Sequence, residues 1–147
     1  DHRGLELKHQ LLDYISPDDI NGGTMFDVAV IQNLKPHEAG KSVDYPDVVK
    51  EFGKSFDIYT HGILVCGSGY GVSIAANRFP QIRAALVHDA LGAKLCREHN
   101  NANVIAFGGR TLGVETARDC LNVFLSTDFE GGRHERRIAK LVNPHPT

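Results

Sequence analysis

The chain has 147 residues, of which 41% are hydrophobic and 23% are charged, and its formal net charge is −2. This length suits one domain with its own core, and the charge balance argues against bulk nucleic-acid binding. Three cysteines do not make a disulfide framework, and no run approaches the roughly 20 apolar residues that span a bilayer. Because no basic-then-apolar leader is present, we expect a cytoplasmic protein without a membrane partner.

The first part of the chain predicts two helices and one strand. An apolar helical stripe runs from Leu5 to Ile15 and stops before Ser16. Residues 26–31 are rich in β-branched side chains and predict a strand. A polar loop follows, and residues 44–46 then open a helix that has proline near its first turn.

The remainder alternates strands with helices. Residues 63–66 predict a buried strand, followed by a glycine turn and a short helix that ends near residues 79–80. Two further strands are predicted over 82–87 and 103–107, with a helix carrying Leu91 and Leu95 between them. Two more helices are predicted after the last strand, one amphipathic over 117–124 and one from about 133 to 141.

Apolar strands that alternate with helices predict a parallel sheet covered on both faces. We therefore expect one α/β domain over residues 1–147, with a doubly wound, Rossmann-like sheet. Since the chain opens at Asp1 without methionine, we expect a first strand to be missing from the record. Ligands of such sheets bind at the carboxyl ends of the strands, where Cys66, His88 and the residues after Phe107 should gather.

The predicted strand at 63–66 ends on a cysteine and passes into the turn Gly67-Ser68-Gly69-Tyr70-Gly71. Strand, glycine turn and helix in this order aim backbone N–H groups at an anion, and a helix N-terminus stabilises a thiolate. Cys66 is therefore a candidate nucleophile or base, beside amides able to donate to a developing oxyanion. The alternative is a tight turn around a structural cysteine, the interpretation we adopt for Cys96 and Cys120.

Familiar nucleotide and metal motifs do not fit. The third glycine of a dinucleotide fingerprint falls on Val72, and the turn has no lysine for a P-loop. The first following arginine, Arg78, is too far along the helix for a phosphatase loop. Because the histidines and cysteines show neither H-x-x-x-H nor C-x-x-C spacing, we expect no bound metal.

Other polar segments supply further candidates. His99 lies among asparagines in residues 97–103, just before a predicted strand. Arg133 and Arg137 are four residues apart and share a helix face, a spacing that suits a phosphate clamp. Arg110 follows the last predicted strand. The alternatives are a structural or solvated histidine and a solvated basic turn.

Together these segments resemble the ribose-5-phosphate isomerase B family, which also includes galactose-6-phosphate isomerase subunits. The resemblance rests on residues 1–4, 44–46, 66–77, 97–103, 106–110 and 129–137. It implies an enzyme of the pentose phosphate pathway that interconverts ribose 5-phosphate and ribulose 5-phosphate through a cis-enediolate, without metal or cofactor. Galactose 6-phosphate or allose 6-phosphate as the substrate stays open, as does a non-catalytic phosphosugar-binding module.

The resemblance also implies roles for single residues. Cys66 is the base, Ser68 and the loop amides hold the enediolate oxygen, and His99 opens the sugar ring with help from Asp44. The residues expected near the sugar and its phosphate are Asp1, His2, Tyr45, Gly67, Gly69, Gly71, Asn77, Asn100, Arg110, Arg133, His134 and Arg137. Val72 occupies the position of a carboxylate in another branch of the family, so the chain fits the cysteine branch. Family members are homodimers or dimers of dimers with shared active sites, so the C-terminal arginines are expected to serve a neighbouring subunit.

Overall fold

The computed structural model of the chain describes residues 2–15, 43–58 and 60–142. The helices in these ranges are α1 (His2–Ile15), α2 (Tyr45–Ser55), α3 (Tyr70–Ala76), α4 (Ala90–Asn100), α5 (Val114–Ser126) and α6 (Arg133–Val142). The strands are β1 (Gly62–Cys66), β2 (Ala84–Leu86) and β3 (Val104–Gly108), and a 3₁₀ turn, Phe56–Ile58, follows α2. The strand predicted over 26–31 lies outside the described residues.

The three strands run parallel in the order β1–β3–β2. Gly62 lies beside Val104 and Cys66 beside Gly108. All of β3 is buried, which is why its sequence is a continuous apolar run. We call the edge at Cys66, Leu86 and Gly108 the carboxyl edge of the sheet, and the opposite edge at Gly62 and Val104 the amino edge.

Helices cover both faces of the sheet, as the sequence predicts. On one face α1, α4 and α5 pack a core that includes Ile105 and Phe107. On the other face α2 and α3 pack against Val104 and Ala106. Neighbouring residues of β3 thus enter opposite cores, as the alternation of side chains along a strand requires. The prediction of a doubly wound α/β fold is confirmed.

Some element boundaries differ from the predicted ones. Strand β2 covers Ala84–Leu86 and not 82–87. It begins after Arg83, because the N–H of Arg83 donates to Asn103 Oδ1 instead of to a strand carbonyl. Helix α3 ends at Ala76, before residues 79–80. Leu91 and Leu95, on α4, have 63% and 37% of their surface exposed. Among the described residues, no helix combines the length and apolar character needed to cross a membrane.

Candidate active site

The thiol of Cys66 lies at the carboxyl edge, facing the turn that joins β1 to α3. The N–H of Gly69 donates a hydrogen bond to Cys66 Sγ at 3.0 Å. Gly69 has a φ of +81°, and a Cβ there would overlap Leu86 Cδ1 and lie 3.0 Å from the carbonyl carbon of Phe107. Only glycine fits this conformation and this space, so the amide that points at the sulfur depends on the residue type at position 69.

The turn after β3 closes over the turn after β1. The N–H of Gly109 donates to the carbonyl of Cys66 at 2.8 Å, and the N–H of Arg110 donates to the carbonyl of Gly67 at 2.9 Å. A Cβ on Gly108 would lie 2.6 Å from the carbonyl carbon of Ser68, so the two backbones are in direct contact. The structure therefore brings Ser68, Gly67 and the exposed Arg110 next to the cysteine.

Helix α1 approaches Cys66 closely. A Cβ on Gly4 would lie 2.9 Å from the carbonyl carbon of Cys66. The first turn of α1, which begins at His2, is therefore beside the cysteine. Asp1, also expected at the sugar, lies outside the described residues.

Helix α2 approaches the glycine turn. The ring of Tyr45 lies against Gly71, where a Cβ would be 2.8 Å from Tyr45 Cζ. Asp44 is the exposed N-cap residue of α2, and its side chain makes no capping hydrogen bond. Asp44 and Tyr45 therefore belong to the same carboxyl-edge group of residues as Cys66.

His99 lies at the opposite edge of the sheet from Cys66. Helix α4 leaves the carboxyl edge after β2 and runs back, so its last residues, His99 and Asn100, precede the start of β3. Asn103 marks the amino edge, because its carbonyl accepts the N–H of Gly62 at 2.9 Å. The strand β1 that separates the two edges spans roughly 13 Å. One chain therefore does not bring His99 into contact with Cys66.

His99 belongs to a compact polar cluster at the amino edge. Its ring is stacked on that of His134, with centroids 4.5 Å apart and planes inclined by 12°. His134 is 5% exposed, and its Nε2 lies 3.6 Å from Glu130 Oε2. The N–H of Glu130 donates to the carbonyl of Glu98 at 3.1 Å. This hydrogen bond joins the loop between α5 and α6 to α4.

The electrostatic surroundings of His134 favour its neutral form. Burial lowers the pKa of His134 from its ordinary value of 6.5, and the charges of His99, Arg133 and Arg137 lower it further. The carboxylate of Glu130 raises it by a smaller amount. Arg133 and Arg137 are both exposed on α6, so the structure groups the two arginines with His99 and not with Cys66.

Arg97, for which no role is predicted from the sequence, links the end of α4 to the segments on either side of this cluster. Its Nε donates to the carbonyl of Thr127 at 3.1 Å. Its Nη1 donates to Asn101 Oδ1 at 3.1 Å and to the carbonyl of Ala102 at 2.6 Å. The guanidinium also lies over the ring of Phe124, 5.5 Å from its centroid. The sequence signal available was only that Arg97 begins the 97–103 segment.

Asn77 lies away from the cysteine turn. It follows α3 and is exposed, and its side-chain amide is hydrogen-bonded to the backbone of Ala84 at the start of β2. The structure therefore brings neither Asn77 nor Asn100 to the carboxyl edge.

One group of described residues has the composition of a metal site. His99, Glu130 and His134 each offer one ligand atom, and these atoms lie within 4.8 Å of one another. Spacing rules do not detect this group, because His99 is far from the other two in the sequence.

The comparison with known proteins identifies the family. The family model for ribose/galactose isomerases matches residues 1–141. The chain belongs to this family. It is 37% identical over 147 residues to ribose-5-phosphate isomerase B of Escherichia coli (strain K12), an alignment that covers 97% of this chain and 90% of that protein.

Solved structures of the family have the same fold. A ribose 5-phosphate isomerase from Thermotoga maritima superposes with a TM-score of 0.83 at 42% identity, covering 96% of this chain and 92% of that one. Ribose-5-phosphate isomerase B from Clostridium thermocellum gives a TM-score of 0.85 at 34% identity, covering 98% and 92%. The family resemblance of the sequence motifs is confirmed.

Proposed function

We propose that this protein is a ribose-5-phosphate isomerase that interconverts ribose 5-phosphate and ribulose 5-phosphate. The observation that carries the proposal is the amide N–H of Gly69, which points at Cys66 Sγ from 3.0 Å. A donor in this position stabilises negative charge on sulfur, as a base that removes a carbon-bound proton needs. Relatives named ribose-5-phosphate isomerase B, aligned over nearly the whole chain, support the substrate.

The proposed reaction moves one carbon-bound proton without net oxidation. Cys66 removes the C2 proton of the open-chain aldose, and the electron pair shifts toward the C1 carbonyl to give a cis-enediolate. The loop amides and Ser68 donate hydrogen bonds to the enediolate oxygen. The thiol then returns the proton to C1, while a proton passes from the oxygen on C2 to the oxygen on C1.

The proposed role of His99 comes before this proton transfer. Ribose 5-phosphate is mostly a closed ring, and an acid that protonates the ring oxygen opens it. The phosphate requires cations, and Arg110, Arg133 and Arg137 offer guanidinium groups suited to its oxygens. Arg110 belongs to the carboxyl edge, whereas the other two lie with His99 at the amino edge.

We further propose that each complete site is built from two chains. The carboxyl edge carries the base Cys66 and the amino edge carries the ring-opening His99, and a five-carbon sugar phosphate is shorter than the roughly 13 Å of β1 between them. A second copy that presents its amino edge to the first chain's carboxyl edge completes the site. Two such contacts close as a symmetric dimer.

An exposed apolar surface supports this dimer. In the described sheet β2 is an edge strand that packs against α3, and α4 follows it in the chain. Tyr70 and Ile74 on α3, and Leu91 on α4, each have more than half of their surface exposed, at 58%, 66% and 63%. Apolar surface of this kind is what homodimers bury.

Measured isomerase activity tests the proposed reaction. We expect conversion of ribose 5-phosphate to ribulose 5-phosphate, and a loss of about 10²–10⁴-fold in kcat for Cys66→Ala. Cys96→Ala is the matched control, because burial raises the pKa of the Cys96 thiol to about 11 and it stays protonated at neutral pH. A Cys66→Ala enzyme with the wild-type rate rules out this mechanism. The ratio of kcat/KM for ribose 5-phosphate and for hexose 6-phosphates identifies the preferred substrate.

Subunit complementation tests the shared site. Cys66→Ala and His99→Asn chains are each expected to be inactive as homodimers. When the two are unfolded together and refolded, half of the dimers are mixed, and each mixed dimer has one site with both groups intact. We therefore expect about a quarter of wild-type activity. If the mixture stays inactive while it refolds into mixed dimers, each site belongs to one chain.

A further inference from the structure

We propose that His99, Glu130 and His134 form a zinc-binding site at the amino edge, and that bound zinc inhibits the enzyme. Two imidazoles and one carboxylate are a ligand set that zinc uses when one coordination position stays open. Imidazole ligands favour zinc over magnesium or calcium, which bind mainly oxygen atoms. The inhibition rests on the proposed function, whereas the binding does not.

The three ligand atoms are near the separation that zinc requires. They lie within 4.8 Å of one another, whereas bonds of about 2.1 Å in tetrahedral geometry put ligand atoms roughly 3.4 Å apart. Glu130 Oε2 is already 3.6 Å from His134 Nε2. The side chain of Glu130 is 53% exposed, so its carboxylate can rotate toward an ion without disturbing the core.

The backbone around the site is already fixed by hydrogen bonds. Glu130 donates its N–H to the carbonyl of Glu98 at 3.1 Å, which joins the loop before α6 to the end of α4. Arg97 holds the carbonyl of Thr127 at 3.1 Å from the same helix. The backbones of both segments are therefore held close together before an ion arrives, which reduces the ordering cost of binding. Because the rings of His99 and His134 are inclined by only 12°, one ring must rotate before both imidazole nitrogens face the same ion.

The charges near the site set its strength. A metal ligand must be a neutral imidazole, and Arg133 and Arg137 lie exposed on the same helix as His134. The same arginines oppose a cation, and Arg133 Nε donates to His134 Nε2 at 3.5 Å, a contact that an ion on that nitrogen must displace. We therefore expect zinc affinity in the micromolar range, weaker than that of a structural zinc site.

Zinc bound here blocks the reaction through His99. An imidazole nitrogen that is coordinated to zinc has no proton to donate to the ring oxygen of the sugar. The ion also lies beside Arg133 and Arg137, the cations assigned to the substrate phosphate. Zinc is therefore expected to inhibit ring opening, and a chelator that removes the zinc is expected to restore the activity.

Zinc titration of the intact protein, read by competition with a chromogenic chelator, tests the binding. We expect one zinc per chain in the wild type and affinities weakened about 10–100-fold in Glu130→Gln and His134→Gln. Glu130→Gln is nearly isosteric at an exposed position, so it does not depend on refolding of the core. His9→Gln, on the exposed side of α1, is the control and should bind zinc as the wild type does.

X-ray absorption at the zinc edge separates this site from the Cys66 thiol. We expect nitrogen and oxygen ligands at about 2.0–2.1 Å and no sulfur at about 2.3 Å. Wild-type affinity in both ligand variants, or sulfur in the coordination shell, overturns the site. Zinc should inhibit the wild-type isomerase, and Glu130→Gln should require at least about tenfold more zinc. A protein that binds zinc in this way but does not isomerise ribose 5-phosphate contradicts the proposed function and leaves the site standing.

Discussion

The side-chain amide of Asn77 is paired with both backbone polar groups of Ala84. Its Nδ2 donates to the carbonyl of Ala84 at 2.9 Å, and its Oδ1 accepts the N–H of Ala84 at 2.8 Å. The amide therefore extends the ladder of β2 by one pair of hydrogen bonds, as a neighbouring strand would. The family resemblance assigns Asn77 to the sugar, but in this chain both halves of its amide are already engaged.

Replacement of Asn77 by aspartate distinguishes a structural role at β2 from contact with the sugar. The carboxylate of Asn77→Asp keeps an acceptor for the N–H of Ala84 but sets a second oxygen against its carbonyl. We expect the free energy of unfolding to fall by about 2 kcal/mol, with kcat/KM little changed, as measured by urea unfolding and by isomerase assays.

Asn122→Asp is the matched control. The oxygen of Asn122 accepts the hydroxyl proton of Tyr14 at 2.8 Å, and aspartate retains that acceptor. We expect the free energy of unfolding of Asn122→Asp to fall by less than about 1 kcal/mol. Unchanged stability of Asn77→Asp together with a large rise in KM contradicts the structural role and supports contact with the sugar.

Gly69→Ala tests the conformation that aims an amide at Cys66. The φ of +81° is unfavourable for alanine, and the new Cβ would overlap Leu86 Cδ1. We expect about 1–3 kcal/mol of lost stability, and a fall in kcat, because the turn must shift the N–H that reaches the sulfur.

Gly113→Ala is the control for that change. Gly113 has a φ of −74° at the start of α5, and a Cβ there meets nothing within 4 Å. We expect a stability change below about 1 kcal/mol. If Gly69→Ala and Gly113→Ala lower the free energy of unfolding by urea equally, alanine is not strained at position 69.

Local patterns were sufficient to predict most of the fold. The buried run in β3 and the helical spacing in α5 are properties of neighbouring residues, so periodicity locates both elements. The start of β2 is not determined locally, because the N–H of Arg83 donates to the side chain of Asn103 instead of to a neighbouring strand. The turn from Cys66 to Gly69 is also local, which is why the sequence predicts an anion-stabilising loop there.

The amino-edge cluster could not be predicted in the same way. His99 and His134 meet because the loop after α5 folds back on α4, and Arg97 with its bond to Thr127 holds that loop. Neither periodicity nor motif spacing contains this long-range contact. The separation of His99 from Cys66 follows instead from chain topology, since a helix that leaves the carboxyl edge returns to the amino edge.

Arg97→Lys tests whether Arg97 positions His99. Lysine keeps the charge but cannot reach Thr127, Asn101 and Ala102 together, so we expect about 2 kcal/mol of lost stability. Because the loop that holds His134 against His99 loosens, we expect kcat to fall more than KM rises. Steady-state kinetics at a temperature where the variant is folded measure this split.

Arg118→Lys is the control for Arg97→Lys. Arg118 also lies over an aromatic ring, that of Tyr14 at 5.1 Å, but its hydrogen-bonded partner Glu115 is largely exposed. We expect the free energy of unfolding of Arg118→Lys to change by less than about 1 kcal/mol, with kcat and KM unaltered. A pure stability loss in Arg97→Lys, with wild-type kcat, contradicts the positioning role.

Stability should fall as the pH drops below neutrality because of two histidines. Burial, and then the charge of Arg97, lowers the pKa of His61 from 6.5, and burial likewise lowers the pKa of His134. Below about pH 6.5 the unfolded chain takes up protons that the folded chain does not, so the free energy of unfolding decreases as the pH falls toward the folded-state values. Above that range these two groups contribute no slope.

Urea unfolding between pH 8 and pH 5 measures this dependence. We expect His61→Gln and His134→Gln each to flatten the slope below pH 6.5, because the proton uptake of the unfolded histidine is removed. If both variants keep the wild-type slope, these two imidazoles take up protons equally in the folded and the unfolded chain. That result contradicts the prediction.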